Sequence, residues 1–464
     1  MDETFDVVVV GGGPAGEVVA ERAASGGLSV ALVESELLGG ECSYWACIPS
    51  KSLLRPIEAL AAVRRVPGAR EAATGQIDAD AVLAHRDEMV HDYDDASQVQ
   101  WAETVGLTVV RGHGRLAGER RVEVRAGSGA LRTLRADRAV VLATGSGPVL
   151  PPVDGLADIR PWDSRGATSA KEVPRRLLVV GGGVVASEMA WAWRGLGAEE
   201  VTVLVRGDRL LAPEEPFVGE TLAAAFADAG IDVHFSTELK AVSREGDGRV
   251  TATLSDRGEV VADELLIATG RRPRTEDLGL ETVGLEPGKP VEVDDRLRAT
   301  GVEGDWLHAV GDVNALALLT HMGKYQGRVL GERLAGKRDI PAWADTAAIT
   351  RVVFTDPQIA AVGLTEASAR EQGLDVGVSD ADLSDVAGAA ELGEGVAGPC
   401  RLVADRGRGV LVGATFMGPE TGSLLHSATI AIAGEVPLDR LRHAVPAFPT
   451  LTEVWLGLLA NLAS

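Results

Sequence analysis

Cysteines are few in this chain, aromatic residues are scarce, and long hydrophobic runs are absent. Three cysteines in 464 residues are too few for a disulfide framework. No C-x-x-C pair or His/Cys cluster has zinc spacing, so we expect no metal site. No apolar run approaches the ~18 residues of a membrane helix, and the acidic start lacks the basic region of a signal peptide. We therefore expect a cytoplasmic protein.

Acidic residues outnumber basic ones, 68 against 45, which gives a formal net charge of −23. A field of this sign repels phosphate backbones and anionic lipids, so nucleic acid and membranes are disfavoured as partners. Hydrophobic residues make up 45% and charged residues 24%, the balance of an ordinary globular protein. The length suits roughly two to four domains.

A glycine-rich turn follows the first expected strand, Asp6–Val10, and opens a helix that ends near Ser25. The next expected strand, Ser29–Val33, leads into Glu34. The pattern is G-x-G-x-x-G, in which the glycines let a pyrophosphate approach the helix N-terminus and the acid binds a ribose hydroxyl. The alternative is an ordinary glycine-rich turn. The expected dinucleotide contacts are Gly11, Gly13, Pro14, Ala15, Gly16 and Glu34.

A second glycine-rich fingerprint of this kind, Gly181–Ala186, lies between the expected strands Arg176–Val180 and Val201–Val205. A helix is expected over Glu188–Leu196. Two dinucleotide sites in one chain indicate an enzyme that passes electrons between two bound cofactors. The alternative is a second copy that no longer binds a nucleotide. The expected contacts at this loop are Gly181, Gly183, Val184 and Val185.

Three further expected strands, Ala139–Thr144, Glu264–Thr269 and Trp306–Asp312, end where sheet ligands bind. The candidate residues at these ends are Thr144, Gly145, Gly270, Arg271, Gly311 and Asp312.

The pattern changes from about Pro341 onward. Antiparallel strands are expected over Ile349–Phe354, Cys400–Ala404 and Val410–Phe416, with helices around Thr365–Gln372 and Gly422–Gly434. This part predicts an α+β domain without a nucleotide site, and Cys400 is expected to be a small core residue.

Together, the motifs VVVVGGGPAG, GGECSYWACIPSK, GGGVVASE, ATGRRPRT, AVGD, FTDPQIAAVGLTE and FPTLTE resemble those of the two-dinucleotide flavoprotein disulfide reductases. This family includes dihydrolipoamide dehydrogenase, glutathione reductase and mercuric reductase. The resemblance implies an α/β fold with two doubly wound nucleotide domains and a C-terminal α+β dimerisation domain. It also implies FAD in the first site, a nicotinamide nucleotide in the second, and a homodimer. The implied segments are 1–152 and 273–345 for FAD, 153–272 for the nicotinamide nucleotide and 346–464 for the interface.

Cys42 and Cys47 are the expected redox pair. Residues five apart do not face each other on a regular helix, so the pair needs an irregular helix entry, which Pro49 suits. A cysteine at a helix N-terminus has its thiolate favoured. By the resemblance, Cys47 is the charge-transfer thiol beside the flavin and Cys42 the outer thiol that meets substrate. The resemblance also implies that Lys51 pairs with Glu188 near the flavin, and it adds Gly40, Glu41 and His321 to the cofactor residues.

The loop between the cysteines departs from the family at Tyr44 and Trp45, in a chain with 4% aromatic residues. These side chains either shape an entrance or stack on a flat substrate, or they are a packing pair.

The nicotinamide site lacks the acid that ends the second strand in NAD-specific relatives. Val205 occupies that position and Arg206 follows, and arginine matches phosphate geometry. We therefore expect NADPH, with NADH possible if Arg206 is simply solvated.

The family's C-terminal His-Pro-Thr-x-x-Glu motif is altered at its first position. Phe448 replaces the histidine that protonates the departing thiolate across the dimer interface, while Glu453 keeps its register. His443 is an alternative proton carrier, with a structural role as the simpler interpretation. Mercuric reductase also lacks this histidine, but it takes the metal with a C-terminal cysteine pair that is absent here, so the resemblance does not favour mercury as a substrate.

These observations predict an FAD enzyme that passes electrons from NAD(P)H, with NADPH favoured, to the Cys42–Cys47 disulfide and on to a disulfide or other sulfur substrate. Phe448 predicts a substrate whose leaving group needs little protonation. One alternative is a diaphorase that reduces quinones at the flavin, and another is a redox sensor with slow turnover.

Overall fold

The computed structural model describes residues 3–246, 248–256 and 258–462. The chain forms two compact units. The first contains the described residues up to Pro49 together with Asp87–Val149 and Arg271–Asp345, and the second contains Ser50–Arg86, Leu150–Gly270 and the described residues from Thr346 onward. This division groups Ser50–Arg86 with the second unit, whereas the four-segment boundaries expected from the sequence stay a prediction.

Within the described residues the strands are, in chain order, β1 (Glu3–Val10), β2 (Val30–Glu34), β3 (Leu107–Arg111), β4 (His113–Leu116), β5 (Arg121–Arg125), β6 (Leu131–Leu142), β7 (Ser146–Pro148), β8 (Arg176–Val180), β9 (Glu200–Val205), β10 (Ile231–Phe235), β11 (Leu239–Arg244), β12 (Val250–Leu254), β13 (Gly258–Ala262), β14 (Glu264–Ile267), β15 (Arg271–Pro273), β16 (Leu307–Ala309), β17 (Thr350–Val353), β18 (Gln358–Gly363), β19 (Val376–Asp382), β20 (Pro399–Asp405) and β21 (Val410–Gly418).

The α-helices over the same ranges are α1 (Pro14–Ala24), α2 (Gly40–Tyr44), α3 (Cys47–Arg65), α4 (Ala79–Met89), α5 (Ala96–Thr104), α6 (Ser164–Ser169), α7 (Val184–Gly195), α8 (Pro216–Asp228), α9 (Thr320–Leu334), α10 (Ala344–Ala347), α11 (Glu366–Glu371), α12 (Ala387–Leu392), α13 (Thr421–Ala433), α14 (Leu438–Leu441) and α15 (Val454–Asn461). None of these described helices has the length and apolar character needed to span a bilayer.

The first unit is built on a sheet in the order β3-β2-β1-β6, with β16 also pairing with β6 and all these neighbours parallel. The run Val7–Val10 is fully buried because both faces of this parallel sheet are covered. The order β3-β2-β1-β6 places β1 in the centre, with the connection that carries α1 leading to β2. This is the doubly wound arrangement in which ligands bind at the carboxyl ends of the strands.

The second unit repeats this arrangement in a parallel sheet, β10-β9-β8-β14, and adds an antiparallel sheet, β11-β12-β13. Its C-terminal part is a five-stranded antiparallel sheet, β17-β18-β21-β20-β19, against which α13 packs. The expected α/β fold with a C-terminal α+β domain is therefore confirmed. Cys400 is 1% exposed on β20, as expected for a core residue, and its burial raises the pKa of the thiol to about 12.

Several expected element bounds were wrong. The helix expected to begin at Glu188 begins at Val184, directly after the glycine turn, because its first turn is needed at the phosphate-binding end. The strand expected over Trp306–Asp312 is shorter, Leu307–Ala309, because the chain turns into a short 3₁₀ helix at Gly311. The helix α2 was not predicted from the sequence.

Candidate active site

Cys42 and Cys47 lie on two consecutive helices instead of one. Cys42 is in α2, and Cys47 is the first residue of α3. Between them Trp45 has φ −132° and ψ −4°, which interrupts the helical path. Pro49 lies in the first turn of α3, where its missing N–H is not needed. The irregular entry expected from the spacing is present, and the two half-buried cysteines are in the unbridged form.

The surroundings of the pair favour negative charge on Cys47 and a proton on Cys42. Cys47 Sγ lies 3.2 Å from Oγ1 of Thr320, the first residue of α9. The N–H groups at the starts of α3 and α9 favour an anion there. A hydrogen bond to Cys47, followed by burial, raises the pKa of Cys42, and the Lys324 ammonium partly opposes this. The geometry suits a Cys47 thiolate that accepts a hydrogen bond from the Cys42 S–H.

The ion pair expected between Lys51 and Glu188 is formed in the second unit. Lys51 Nζ donates to Glu188 Oε2 at 2.7 Å. The buried Glu188 also accepts the backbone N–H of Phe354 through Oε1 at 3.0 Å. The Lys51 ammonium lies 4.8 Å from the centroid of the Phe354 ring, within the range of a cation–π contact. Phe354, which the sequence did not single out, therefore holds both members of the pair.

The backbone at the first fingerprint requires glycine. Gly11 has φ +107°, and a Cβ there would lie 2.3 Å from the carbonyl oxygen of Ala143. Gly40 has φ +60°, and a Cβ there would lie 2.8 Å from Gly13 Cα. Without side chains at these positions, the start of α1 is open to a pyrophosphate, which helix N-terminal N–H groups bind. This arrangement fits the FAD expected at the loop.

The acid of this site is fixed at the end of β2. Glu34 accepts the N–H of Gly12 through Oε2 and the N–H of Glu36 through Oε1, both at 2.7 Å. The two bonds hold the buried carboxylate beside the glycine turn, where such an acid binds the ribose of a dinucleotide.

Asp312 is held by groups from two short strands, β7 and β15. The Ser146 hydroxyl donates to Asp312 Oδ2, and Arg271 Nε donates to Ser146 Oγ at 2.8 Å. Burial raises the pKa of Asp312, while the Ser146 bond and the Arg271 charge oppose that shift. Arg274, which directly follows β15, donates to Glu41 Oε1 at 2.6 Å. Ser146 and Arg274 were missed because single polar residues after a strand give no spacing signal.

The second fingerprint has the form expected of a nicotinamide-nucleotide loop. The helix α7 begins at Val184, and a Cβ built on Gly183 meets nothing within 4 Å, so the loop is open above the helix start. A Cβ at Gly182 would lie 2.8 Å from Val205 Cγ1, which shows that Val205 packs against the turn. Arg206 follows at the end of β9 with its side chain exposed.

The other cofactor residues expected from the sequence lie at the ends of elements. Thr144 and Gly145 follow β6, Gly270 precedes β15, Gly311 begins the short 3₁₀ helix, and His321 is exposed in the first turn of α9.

Tyr44 and Trp45 pack against protein side chains. Tyr44 is 1% exposed, and its ring centroid lies 5.7 Å from that of Trp45. Trp45 is stacked on Tyr93, with centroids 6.1 Å apart and planes inclined by 30°. Because a ring face of Trp45 is already covered, these contacts favour the packing interpretation over stacking on a flat substrate.

The C-terminal motif shows an exposed ring and a half-buried carboxyl. Phe448 is 76% exposed. Glu453 Oε2 is enclosed and has no hydrogen-bond partner among the described residues. His443 is exposed in the segment that follows α14.

A fold with two dinucleotide loops and a dithiol pair at helix starts defines a flavin- and nicotinamide-dependent oxidoreductase. Comparison with protein families agrees with this class. Residues 5–333 match the pyridine nucleotide-disulphide oxidoreductase model, and residues 349–458 match the dimerisation domain of the same group. The chain belongs to the pyridine nucleotide-disulphide oxidoreductase family.

Relatives of known activity align over nearly the whole chain. It is 32% identical over 460 residues to a dihydrolipoyl dehydrogenase from Chlamydia muridarum, which covers 98% of this chain and 96% of the relative. It is 33% identical over 458 residues to a mercuric reductase from Shigella flexneri, which covers 97% of this chain and 78% of the relative. The crystal structure of LpdA from Mycobacterium tuberculosis superposes with a TM-score of 0.87 at 25% identity and covers 100% of both chains.

Proposed function

We propose that this enzyme couples the oxidation of NADPH to the reduction of a disulfide or another sulfur substrate through Cys42 and Cys47. The observation that supports this most directly is the hydrogen-bonded cysteine pair, with Cys47 at the starts of α3 and α9. Bound FAD supplies the two-electron exchange between the nicotinamide and the cysteine pair. Glu34, Asp312 and the glycine turn of α1 would hold the cofactor.

In the substrate step, the Cys42 sulfur attacks one sulfur of the substrate, and the S–S bond breaks. The departing sulfur takes a proton and leaves as a thiol. The Cys47 thiolate then attacks the Cys42 sulfur, forms the Cys42–Cys47 disulfide and releases the second sulfur as a thiolate, which takes a proton from water. The polarised pair suits this order because the outer thiol reacts first and the inner thiolate resolves the mixed disulfide.

Serine variants of the two cysteines test this function. Replacing Cys42 by serine should abolish NADPH-dependent disulfide reduction, while quinone reduction at the flavin should survive. Cys47→Ser should give the same split, and Cys400→Ala, at the buried third cysteine, should leave both activities at the wild-type level. Disulfide reduction that survives Cys42→Ser would favour the diaphorase alternative, and a wild type that turns over no acceptor would favour the redox sensor.

The preference for NADPH is proposed from the end of β9. Val205 stands where an acid would repel a 2′-phosphate, and the exposed Arg206 is the next side chain. A charge-assisted bond of this kind contributes about 1.5–3 kcal/mol, so Arg206→Gln should lower kcat/KM for NADPH by roughly 10- to 100-fold and leave NADH unchanged. Arg125→Gln, at an exposed site on β5, is the control. A wild-type kcat/KM that is higher for NADH would overturn the preference.

We also propose a homodimer and a cytoplasmic location. The dimerisation-domain match and the exposed apolar side chains within it support the dimer. A cysteine pair that must be reduced again by a nicotinamide nucleotide suits the cytoplasm, where that reductant is regenerated.

Phe448 cannot carry a proton, so the substrate step needs another proton source or a leaving group that requires none.

A further inference from the structure

Glu17 is a half-buried carboxyl that the cofactor and cysteine contacts described above do not use. It lies in the first turns of α1, where its N–H donates to the Gly13 carbonyl at 2.9 Å. Its Oε1 is enclosed and has no hydrogen-bond partner among the described residues. Burying a carboxyl oxygen without a hydrogen-bond partner costs folding free energy, so such a group requires a chemical explanation.

Glu17 lies at the end of α1 that is next to α2, the helix that carries Cys42. The start of α1 touches the start of α2, since a Cβ at Gly40 would lie 2.8 Å from Gly13 Cα, and Cys42 is two residues further along α2. The field of Glu17 reaches Tyr44 at the end of the same helix, where burial, then Asp95 and Glu17, raise the pKa of the phenol to about 12.

The neighbouring helix α9 provides a second link. The two helices pack closely, with a Cβ at Gly327 falling 2.7 Å from the carbonyl oxygen of Ala15. The charge of Lys324 on α9 acts on both the Glu17 carboxyl and the Cys42 thiol. A single ammonium that influences both groups indicates that the carboxyl and the outer thiol share one electrostatic environment.

We propose that Glu17 is the proton carrier of the substrate step. Its carboxylate takes the proton from the Cys42 S–H as the Cys42 sulfur attacks the substrate S–S bond, and its carboxyl returns that proton to the departing thiolate. No proton is gained or lost in this exchange. The role rests on the proposed function, and it fills the place left by Phe448.

The titration of Glu17 suits this role. Burial raises the pKa of Glu17 to about 7, with Lys324 on α9 lowering it and Glu34 at the end of β2 raising it. The titratable side chains on α2 are Glu41, Cys42 and Tyr44. Glu41 is paired with Arg274, and Cys42 and Tyr44 stay protonated in this range because the pKa of each is raised. A proton carrier is most effective when its pKa lies near the working pH.

The experiment compares the FAD-loaded wild type with Glu17→Gln, using an alkyl disulfide such as lipoamide and an aromatic disulfide such as dithiobis(nitrobenzoate). Wild-type kcat/KM for lipoamide should rise with pH through about 7, as Glu17 ionises. Glu17→Gln should lower kcat/KM for lipoamide by roughly 100-fold or more and should remove its rise with pH. The loss should be smaller with the aromatic disulfide, whose thiolate leaves without protonation. The control is Glu103→Gln, at an exposed carboxylate on α5.

Two further measurements separate the possible causes. Lys324→Gln should move the midpoint of the rise in kcat/KM to higher pH, because the ammonium lowers the pKa of Glu17. The rate of flavin reduction by NADPH should be unchanged in Glu17→Gln. An unchanged pH profile, or equal losses with both disulfides, would overturn the role of Glu17, as would a variant that loses FAD and recovers full activity when FAD is added. If Cys42→Ser reduces disulfides as fast as the wild type, the proposed function is overturned, and the role of Glu17 with it.

Discussion

At the scale of single residues, the Phe354 ring is the contact whose removal best tests the Lys51–Glu188 pair. Under the proposed function we expect this pair to act on the flavin, as the family resemblance implies, and the ring lies 4.8 Å from the Lys51 ammonium. Phe354→Leu should keep the backbone N–H bond to Glu188 but lose the cation–π contact, which contributes about 0.5–2 kcal/mol. Flavin reduction by NADPH, followed by stopped flow, should slow by roughly 2- to 30-fold with a changed pH profile.

The matched control is Phe217→Leu. The Phe217 ring lies 5.4 Å from the Arg401 guanidinium, in a cation–π contact elsewhere in the second unit. This variant should lose comparable thermal stability without a change in flavin reduction. Equal rates in the two variants would mean that Phe354 has a structural role alone.

Asp345 provides a pH-dependent prediction at the same scale. Its side chain is buried, Gln326 donates to Oδ2 at 3.0 Å, and burial raises the pKa of Asp345 to about 6. Because this pKa is higher than in the unfolded chain, its contribution to stability is present below pH about 4 and is lost as the pH rises through about 6. Asp345→Asn should therefore stabilise the protein by about 3 kcal/mol at pH above 7.

The measurement is thermal unfolding of wild type and Asp345→Asn from acidic to alkaline pH. The two unfolding midpoints should be close in acid and separate as the pH passes about 6. A separation that is the same at every pH would show that the titration of Asp345 does not cause it.

At the scale of elements, the packing of α9 on α1 depends on three glycines spaced one turn apart. A Cβ at Gly323, Gly327 or Gly331 would lie between 2.5 and 3.2 Å from atoms of α1. Gly327→Ala should push the helices apart and loosen the start of α1, because the closely packed protein interior has few voids that could hold a methyl group. We expect destabilisation of roughly 1–3 kcal/mol and weaker FAD retention.

Gly75→Ala is the control for that prediction, since a Cβ there meets nothing within 4 Å. Thermal unfolding and the FAD content after gel filtration are the measurements. A Gly327→Ala protein as stable and as flavin-rich as Gly75→Ala would contradict the close packing of these helices.

The sequence predicted the elements that carry a repeated pattern and missed those fixed by tertiary contacts. The strand–glycine turn–helix units were predictable because glycine spacing and hydrophobic runs are local signals. The separate helix α2 was not predictable, since the break at Trp45 depends on how the chain packs at the cysteine pair. Thr320, Phe354 and Glu17 gave no signal for a similar reason, because each acts through a neighbour far away in the chain.

At the scale of the whole molecule, net charge and apolar exposure act in opposite directions. Each chain carries a formal charge of −23, so two copies repel each other at low ionic strength. Within the residues that match the dimerisation domain, the exposed apolar side chains are Ile430, Val445, Phe448 and Leu456. Burial of this surface against a second copy would be favourable and insensitive to salt. Added salt should therefore strengthen association until the charges are screened.

Leu456→Glu tests this balance directly. Leu456 is 53% exposed on α15, so the substitution should leave the folded chain intact, whereas a carboxylate in an apolar interface between two acidic chains is strongly disfavoured. We expect the wild type to be a dimer and Leu456→Glu to be a monomer by light scattering at micromolar concentration. Leu131→Glu, at a 61% exposed leucine outside the dimerisation domain, should stay dimeric. If Leu456→Glu also stays dimeric, the second copy binds another surface, because a buried carboxylate at each copy of α15 would otherwise separate the chains.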